Sequence, residues 1–311
     1  MQQFTYHKFM YLLIFLVFSS IAFCTFARAS EADTALSARI VGGEFEYTVQ
    51  RGDSLTGVGA RFGVPVRILA GANSLSANAR LHENQKLSID NRHIVPATLD
   101  DGILINIPQR MLYYFKGGEL IHYFPVGLGR PDWPTPTGNF TIVSTEEDPV
   151  WDVPKSIQEE MRRAGKPVLT CVPPGPNNPL GKHWLRLSFP GYGIHGTIAP
   201  ASIYQFRTHG CVRLHPDDVA KLFAVVFAGT TGLITYRRLM AARIGKQIFL
   251  EVHPDVYGKN PDALKQFNQI ARYHNFAGEV DWERAMDIIR KQAGIASLIT
   301  KGVDPIVEKQ K

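Results

Sequence analysis

Two neighbouring segments of the chain decide its fold, reading Tyr-Gly-Ile-His-Gly-Thr at residues 192–197 and Thr-His-Gly-Cys-Val-Arg at residues 208–213. With Arg207, they gather one thiol, two imidazoles and two guanidiniums in a short stretch. A cysteine attacks a carbonyl as its thiolate, which a nearby histidine can generate by accepting the proton and nearby positive charge can stabilise. The pattern therefore predicts an enzyme domain with Cys211 as its nucleophile.

The two segments resemble the signature of the YkuD-type L,D-transpeptidases, with Thr208 where that family usually carries serine. Three further segments agree, at residues 125–127, 135–138 and 174–181, and are similar to the periplasmic branch that attaches an outer-membrane lipoprotein to murein. The similarity spans about residues 101–237. It implies a mainly β catalytic domain, a YkuD-like β-sandwich with few helices.

The resemblance also implies roles for individual residues. Cys211 would be the nucleophile and His195 its general base, with a backbone carbonyl near Gly196 orienting the imidazole as a carboxylate does in a serine triad. No cofactor and no metal is implied. Oxyanion-binding or site-shaping roles would fall to Gly210, His209, Gly196 and Thr208, with backbone amides at or near Gly210 and Cys211 forming the oxyanion hole. Substrate binding would fall to Arg213 and Arg207.

The implied reaction acts on tetrapeptide stems of peptidoglycan. Cys211 would form a thioester with release of D-alanine, and an amine of a second stem or of a lipoprotein lysine would resolve it. Two alternatives stay open. Water could accept the acyl group, which would make a carboxypeptidase or a murein-lipoprotein hydrolase, or the protein could be a non-catalytic wall-binding module.

The cysteine and histidine residues allow other interpretations as well. His195, His209, His215 and Cys211 could ligate zinc, although their spacing matches no common zinc signature. Cys171 lies in a proline-rich loop, and we expect it to be structural and not to pair with Cys211, because a disulfide would silence the enzyme.

The N-terminus has the order of a secretory signal, with Lys8, an apolar run at 11–18 and small residues ending at Ala29. This apolar run is shorter than the roughly 20 residues that span a bilayer. We therefore predict a signal peptide at 1–29 that is cleaved, no stable transmembrane anchor and a periplasmic location. Residues 30–44 are small, polar and charged, and are interpreted as a linker.

Residues 45–92 form a predicted βααβ unit. Ser54 or Asp53 caps its first helix, and Leu55, Val58 and Phe62 share one helical face. The unit resembles a LysM module, which implies a tether to the glycan strands of peptidoglycan. The net charge of +6 suits an anionic partner such as the cell wall, whereas no cluster of Lys and Arg with interleaved aromatics indicates nucleic acid.

After a linker at 93–100, short apolar or alternating runs predict the strands of the catalytic domain at 101–237. Ser156 and Glu159 predict a capping box for a helix that ends at Gly165, and a helix is expected from Pro216 to Gly229. Residues 238–311 are interpreted as an α+β extension that packs on the catalytic domain and carries no chemistry.

Overall fold

A computed structural model describes residues 35–259 and 262–303, so the predicted signal peptide, Cys24 and part of the predicted linker lie outside the described residues. Strands dominate the described part, which contains six α-helices. None of those helices has the length and apolar character needed to cross a bilayer.

The N-terminal unit has the predicted βααβ order. Ser54 accepts a hydrogen bond from the Gly57 N–H at the start of the first helix, and Gly63 ends that helix at φ 72°, in the left-handed region that suits glycine. Leu55, Leu69 and their neighbours form a small core. The elements are β1 (Leu36–Ser37), β2 (Ile40–Val41), β3 (Glu44–Thr48), α1 (Leu55–Phe62), α2 (Val66–Ala72), β4 (Lys86–Asp90) and β5 (His93–Ile94).

The central domain is mainly β, as predicted, and is built on an eight-stranded sheet in the order β16-β14-β13-β10-β17-β6-β7-β8. Its elements are β6 (Gly102–Asn106), β7 (Met111–Lys116), β8 (Glu119–Pro125), β9 (Leu128–Gly129), β10 (Gly138–Glu147), β11 (Trp151–Asp152), α3 (Lys155–Arg163), β12 (Cys171–Val172), β13 (His183–Leu187), β14 (Gly193–His195), β15 (Phe206–Thr208), β16 (Val212–Arg213), α4 (Pro216–Phe223) and β17 (Thr231–Thr235).

At β6 and β7, both faces of this sheet are buried. On β7, Leu112 and Tyr114 belong to the core that also holds α4, whereas Tyr113 and Phe115 belong to a second core that contains Ile203. A strand buried on both faces has a continuous apolar sequence, which accounts for the unbroken apolar runs of β6 and β7.

Two helix predictions in this domain were wrong in detail. α3 begins at Lys155 after Pro154 with no side-chain cap, so Ser156 lies inside its first turn and Glu159 pairs with Arg162 instead of closing a capping box. α4 begins at Pro216 as predicted but ends at Phe223, because the following backbone turns so that the Gly229 N–H reaches the carbonyl of Ile142 in β10.

The C-terminal part forms a four-stranded sheet, in the order β1-β18-β19-β20, covered by two helices whose N-caps are Asp262 and Asp281. Its β1 comes from the segment predicted as a linker, and β2 from the same segment pairs with β5. The described part of that segment is therefore built into the fold. The new elements are β18 (Leu239–Ile244), β19 (Gln247–Val252), α5 (Ala263–Tyr273), α6 (Trp282–Lys291) and β20 (Ser297–Leu298).

A buried carboxylate joins the three parts of the chain. Glu251 of β19 is fully buried and accepts hydrogen bonds from His93, His253, Gln109 and the Ile94 N–H, at 2.5 to 2.9 Å. The other ring nitrogen of His93 lies 2.9 Å from the Gly63 carbonyl at the end of α1. His93 therefore links the end of α1 to the carboxylate of Glu251.

We expect Glu251→Gln to lower the free energy of unfolding by about 2 kcal/mol or more, because an amide NH2 in place of one carboxylate oxygen leaves buried donors without an acceptor, at a cost of about 1 to 3 kcal/mol for each. Urea titration followed by tryptophan fluorescence measures this loss. Glu279→Gln is the matched control, since its carboxylate pairs with Arg243 at the surface, where ion pairs contribute less than about 1 kcal/mol. Equal effects of the two variants would show that the buried carboxylate does not stabilise the junction.

Candidate active site

Strand pairing places the predicted catalytic residues on one face of the sheet. β14 and β16 run parallel, with Ile194 opposite Val212 and His195 opposite Arg213. Paired residues share a face and successive residues alternate, so Ile194 and Val212 face the core, where both are buried. His195, Arg213 and the preceding Cys211 consequently lie together on the other face.

Cys211 is partly exposed, with its Sγ 3.9 Å from the carbonyl oxygen of Gly191. Burial raises the pKa of its thiol, and this effect outweighs the Gly193 backbone N–H and the Arg213 charge, which both lower it. The resting group at neutral pH is therefore a thiol. The expectation of a thiolate stabilised by adjacent cations is wrong for the resting protein. Burial destabilises the thiolate more than the positive charge of Arg213 stabilises it.

His195 is 4% exposed, and its Nδ1 lies 2.6 Å from the carbonyl oxygen of Gly196. A carbonyl only accepts, so Nδ1 carries the hydrogen and Nε2 is left as a bare acceptor. Burial, followed by the charge of Arg213, lowers the pKa of His195 to about 3, against the opposing effect of the Gly196 and Leu180 carbonyls. The imidazole is neutral at neutral pH and can accept a proton.

The loop before the cysteine is closed by Thr208. Its hydroxyl donates to the Cys211 carbonyl at 2.6 Å and accepts from the Gly210 N–H at 3.1 Å. Gly210 has φ 103°, and a Cβ there would come within 2.4 Å of the Tyr192 ring, so only glycine fits. The Gly210 amide is thus occupied, whereas the Cys211 N–H makes no hydrogen bond with any residue that the structure describes. Of the two amides expected to bind an oxyanion, only that of Cys211 is available.

His209 connects this loop to α3. Its Nε2 lies 2.5 Å from Glu160 Oε2, and its ring packs edge-on against Trp133, with the ring centroids 4.7 Å apart. Arg130 reaches the other oxygen of Glu160 at 3.2 Å. Sequence reasoning missed Glu160, since its carboxylate lies 49 positions from His209 and only tertiary structure brings the two together.

The two arginines occupy different places. Arg213 donates from Nη1 to Ser202 Oγ at 3.0 Å, and its Nε is buried without a hydrogen-bond partner among residues 35–259 and 262–303. Burial lowers its pKa, and the negative charge that Cys211 carries when it is ionised opposes this effect. Arg207 lies exposed on β15. The structure therefore brings Arg213, and not Arg207, into the group around Cys211.

The four residues considered as zinc ligands do not converge. His215 accepts from the Asp217 N–H at 3.3 Å and caps α4, while His209 faces Glu160. Within the described part of the chain, the group of potential ligands is His93, Glu251 and His253. Their atoms are 2.7 to 2.8 Å apart, which is hydrogen-bond spacing.

The second described cysteine lies away from this group. Cys171 is exposed on β12, where it pairs with Asp152 of β11. Both thiols are free, which confirms that Cys171 and Cys211 do not form a disulfide.

Comparison with known proteins identifies two domains in the chain. The L,D-transpeptidase catalytic domain of the YkuD family matches residues 100–234, and the LysM domain matches residues 47–90. The probable L,D-transpeptidase YcfS of Escherichia coli K12 is 30% identical over 231 residues, which cover 72% of each chain. The probable L,D-transpeptidase ErfK/SrfK of Salmonella typhimurium is 27% identical over 245 residues, or 74% of this chain and 79% of the relative.

Shorter matches include a relative from another organism and a solved structure. The putative L,D-transpeptidase YkuD of Bacillus subtilis is 30% identical over 59% of this chain and 94% of its own length. The NMR structure of the catalytic domain from the E. faecium L,D-transpeptidase is 21% identical over 45% of this chain and all of that domain, with a TM-score of 0.33.

Proposed function

Since the chain belongs to the L,D-transpeptidase family, we propose that it cleaves peptidoglycan stem peptides at Cys211 and transfers the acyl group to an amine. One observation carries the proposal. Cys211 directly precedes β16, the strand that pairs with β14 at His195, and lies on the same face as His195. The Gly196 carbonyl fixes the His195 tautomer that leaves Nε2 free to take the thiol proton. This is the nucleophile, base and orienting group that acyl transfer requires.

In the first half of the reaction, Sγ of Cys211 attacks the carbonyl of the L-centre of diaminopimelate in a tetrapeptide stem. A separated thiolate–imidazolium pair is unfavourable at rest, because the pKa of Cys211 is raised and that of His195 is lowered. The proton therefore passes to His195 Nε2 as the carbon–sulfur bond forms. The oxyanion accepts a hydrogen bond from the Cys211 N–H.

Collapse of this intermediate breaks the bond to D-alanine, whose amine takes the proton from His195, and leaves a thioester on Cys211. The incoming amine attacks the thioester and gives its proton to His195, which returns a proton to the departing sulfur. Arg213 favours both the attack by the sulfur and its later departure from the thioester, because the positive charge of Arg213 stabilises negative charge on the sulfur. The thioester conserves the reactivity of the acyl group, so transfer needs no ATP.

The LysM domain supports peptidoglycan as the substrate. We propose that it binds the glycan strands and that the protein acts in the periplasm after export, with a second stem or the lysine of an outer-membrane lipoprotein as the acceptor. α1 of this domain lies against the catalytic domain: the Gly63 at its end packs next to Met111 and Pro125. Glycan binding would thus hold the catalytic domain at the wall.

Product analysis tests the proposed function. Tetrapeptide muropeptides incubated with the protein should release D-alanine and yield stems joined between two diaminopimelate residues, and adding a lipoprotein-derived lysine peptide should yield linked stems if lipoprotein is an acceptor. D-alanine release with tripeptides as the sole other product would instead indicate the hydrolase. Binding to sacculi without any D-alanine release would contradict catalysis and favour the wall-binding module.

A further inference from the structure

Resting on the proposed function, we propose that Tyr257, in the C-terminal extension, is a positioning residue that holds the Gly210–Cys211 peptide so that the Cys211 N–H can bind the oxyanion. Tyr257 acts through Gly129 and Thr135, and touches neither the substrate nor the sulfur. The sequence assigned no chemistry to this extension, and the structure places one of its side chains next to the catalytic loop.

The hydroxyl of Tyr257 makes two hydrogen bonds to the segment that follows β8. It donates to the Gly129 carbonyl at 2.5 Å and accepts from the Thr135 N–H at 3.2 Å. A phenol has one hydrogen to donate and lone pairs to accept, so both bonds form at once. Tyr257 therefore clamps the two ends of the turn 129–135.

Thr135 passes this constraint to the catalytic loop. Its side chain is 1% exposed, and its hydroxyl accepts from the Gly129 N–H at 3.0 Å and donates to the Gly210 carbonyl at 2.9 Å. The backbones are in close contact here, since a Cβ on Gly129 would lie 2.9 Å from the Gly210 Cα and 2.2 Å from the Trp133 carbonyl oxygen. A movement of the backbone in the turn 129–135 would therefore displace Gly210.

The Gly210 carbonyl determines the direction of the next amide. The peptide bond is planar and trans, so the N–H of Cys211 points opposite to the Gly210 C=O. Because that carbonyl faces Thr135, the Cys211 N–H faces away from Thr135. Thr208 holds the other side of the loop through the Gly210 N–H and the Cys211 carbonyl. Together these contacts fix both peptides that flank the cysteine.

Tyr257 is itself held in place by its neighbours. Its N–H donates to the Tyr236 hydroxyl at 2.8 Å, and that hydroxyl donates to Asp255 at 2.6 Å. The Tyr257 ring stacks on that of Tyr236, with centroids 5.6 Å apart, and meets Phe206 of β15 edge-on at 5.8 Å. The ring position thus depends on aromatic packing, and the hydroxyl alone makes the contacts to the turn.

Tyr257→Phe separates the packing of the ring from the hydrogen bonds of the hydroxyl, because it keeps the ring and removes the hydroxyl. Loss of one oxyanion donor costs about 10² to 10³ in rate, and loosening that donor should cost about tenfold in the rate at which a carbapenem acylates Cys211. Alkylation of Cys211 by iodoacetamide forms a carbon–sulfur bond as iodide leaves, with no oxyanion. Its rate should therefore stay within about twofold of wild type, since only oxyanion binding is affected.

Both rates are measured on the full-length protein, acylation by intact mass spectrometry and alkylation by mapping the peptide that contains Cys211, because the exposed thiol of Cys171 also reacts with iodoacetamide. Tyr273→Phe is the matched control, because Tyr273 is 70% exposed and distant in sequence from the loop; both of its rates should be unchanged. A Tyr257→Phe protein whose acylation is unchanged, or whose two rates fall together, would overturn the inference. Wild-type protein that is alkylated but never acylated would contradict the proposed function instead.

A second pair of variants tests the same chain of contacts independently of Tyr257. Thr135→Val removes the hydroxyl that holds the Gly210 carbonyl, and should lower acylation by about 10²-fold, again with alkylation retained. Thr135→Ser keeps a hydroxyl at the same place and should restore acylation to within a few-fold of wild type. Equal acylation by the valine and serine variants would contradict the inference.

Discussion

Cys211→Ala is expected to lower the turnover of tetrapeptide stems by about 10⁶-fold, the scale of loss when the nucleophile of a hydrolase is removed. No other group takes over the attack, since His195 has its Nδ1 committed to the Gly196 carbonyl and is buried. Serine at the same position should not restore activity. An alcohol is a much weaker acid than a thiol, so His195 would have to remove a far more tightly held proton.

Cys171→Ala is the matched control, because Cys171 is the other described cysteine, is exposed and has a free thiol on β12. Its release of D-alanine should equal that of the wild-type protein in the same chromatographic assay. Turnover by the Cys211→Ala protein above about one thousandth of wild type would show that another residue performs the attack, given that the nucleophile should carry most of the rate.

His195→Gln is expected to reduce acylation by about 10² to 10⁴-fold at neutral pH, the usual contribution of a general base. Glutamine retains an N–H that can reach the Gly196 carbonyl but offers no nitrogen to accept the thiol proton. Stopped-flow measurement of carbapenem acylation gives the rate. His82→Gln, an exposed histidine of the LysM domain, should leave the rate unchanged.

The pH dependence of this deficit follows from the two pKa shifts. The pKa of Cys211 is raised, so the thiol is protonated at neutral pH and the base is needed there; as pH rises through that pKa, the thiolate forms without help and the deficit should shrink. The pKa of His195 is lowered to about 3, so wild-type acylation should show no loss from imidazole protonation between pH 7 and pH 5. A deficit independent of pH would show that His195 does not serve as the base.

Local chemistry made the N-terminal module and much of the strand order predictable. Ser54 and Gly63 mark the ends of α1 through contacts within a few residues, and the alternation and apolar runs of β6, β7 and β13 carry their own signal. The prediction of a capping box at Ser156 was wrong, although it also rested on a local pattern. A cap depends on the backbone conformation at one residue, and Pro154 starts the helix earlier than the side-chain pattern indicates.

The motif indicated which residues to bring together around Cys211, but not the environment that sets their chemistry. Counting nearby cations predicted a lowered pKa for the cysteine, whereas burial, which no linear pattern reports, raises it. Glu160, Tyr257 and Glu251 were missed because their partners lie far away in the sequence, with 128 positions between Tyr257 and Gly129. Such contacts arise only when strands and helices pack. The residues that hold the motif in place were therefore less predictable than the motif itself.

Trapping the acyl-enzyme shows directly whether Cys211 is the nucleophile. The protein is mixed with a carbapenem at neutral pH, its intact mass is recorded, and the adduct is located by peptide mapping. Our account predicts one acyl group per chain on the peptide that contains Cys211, released by hydroxylamine as a thioester is, and none on the Cys211→Ala protein. An adduct on another residue, or none on folded and reduced protein, would contradict it.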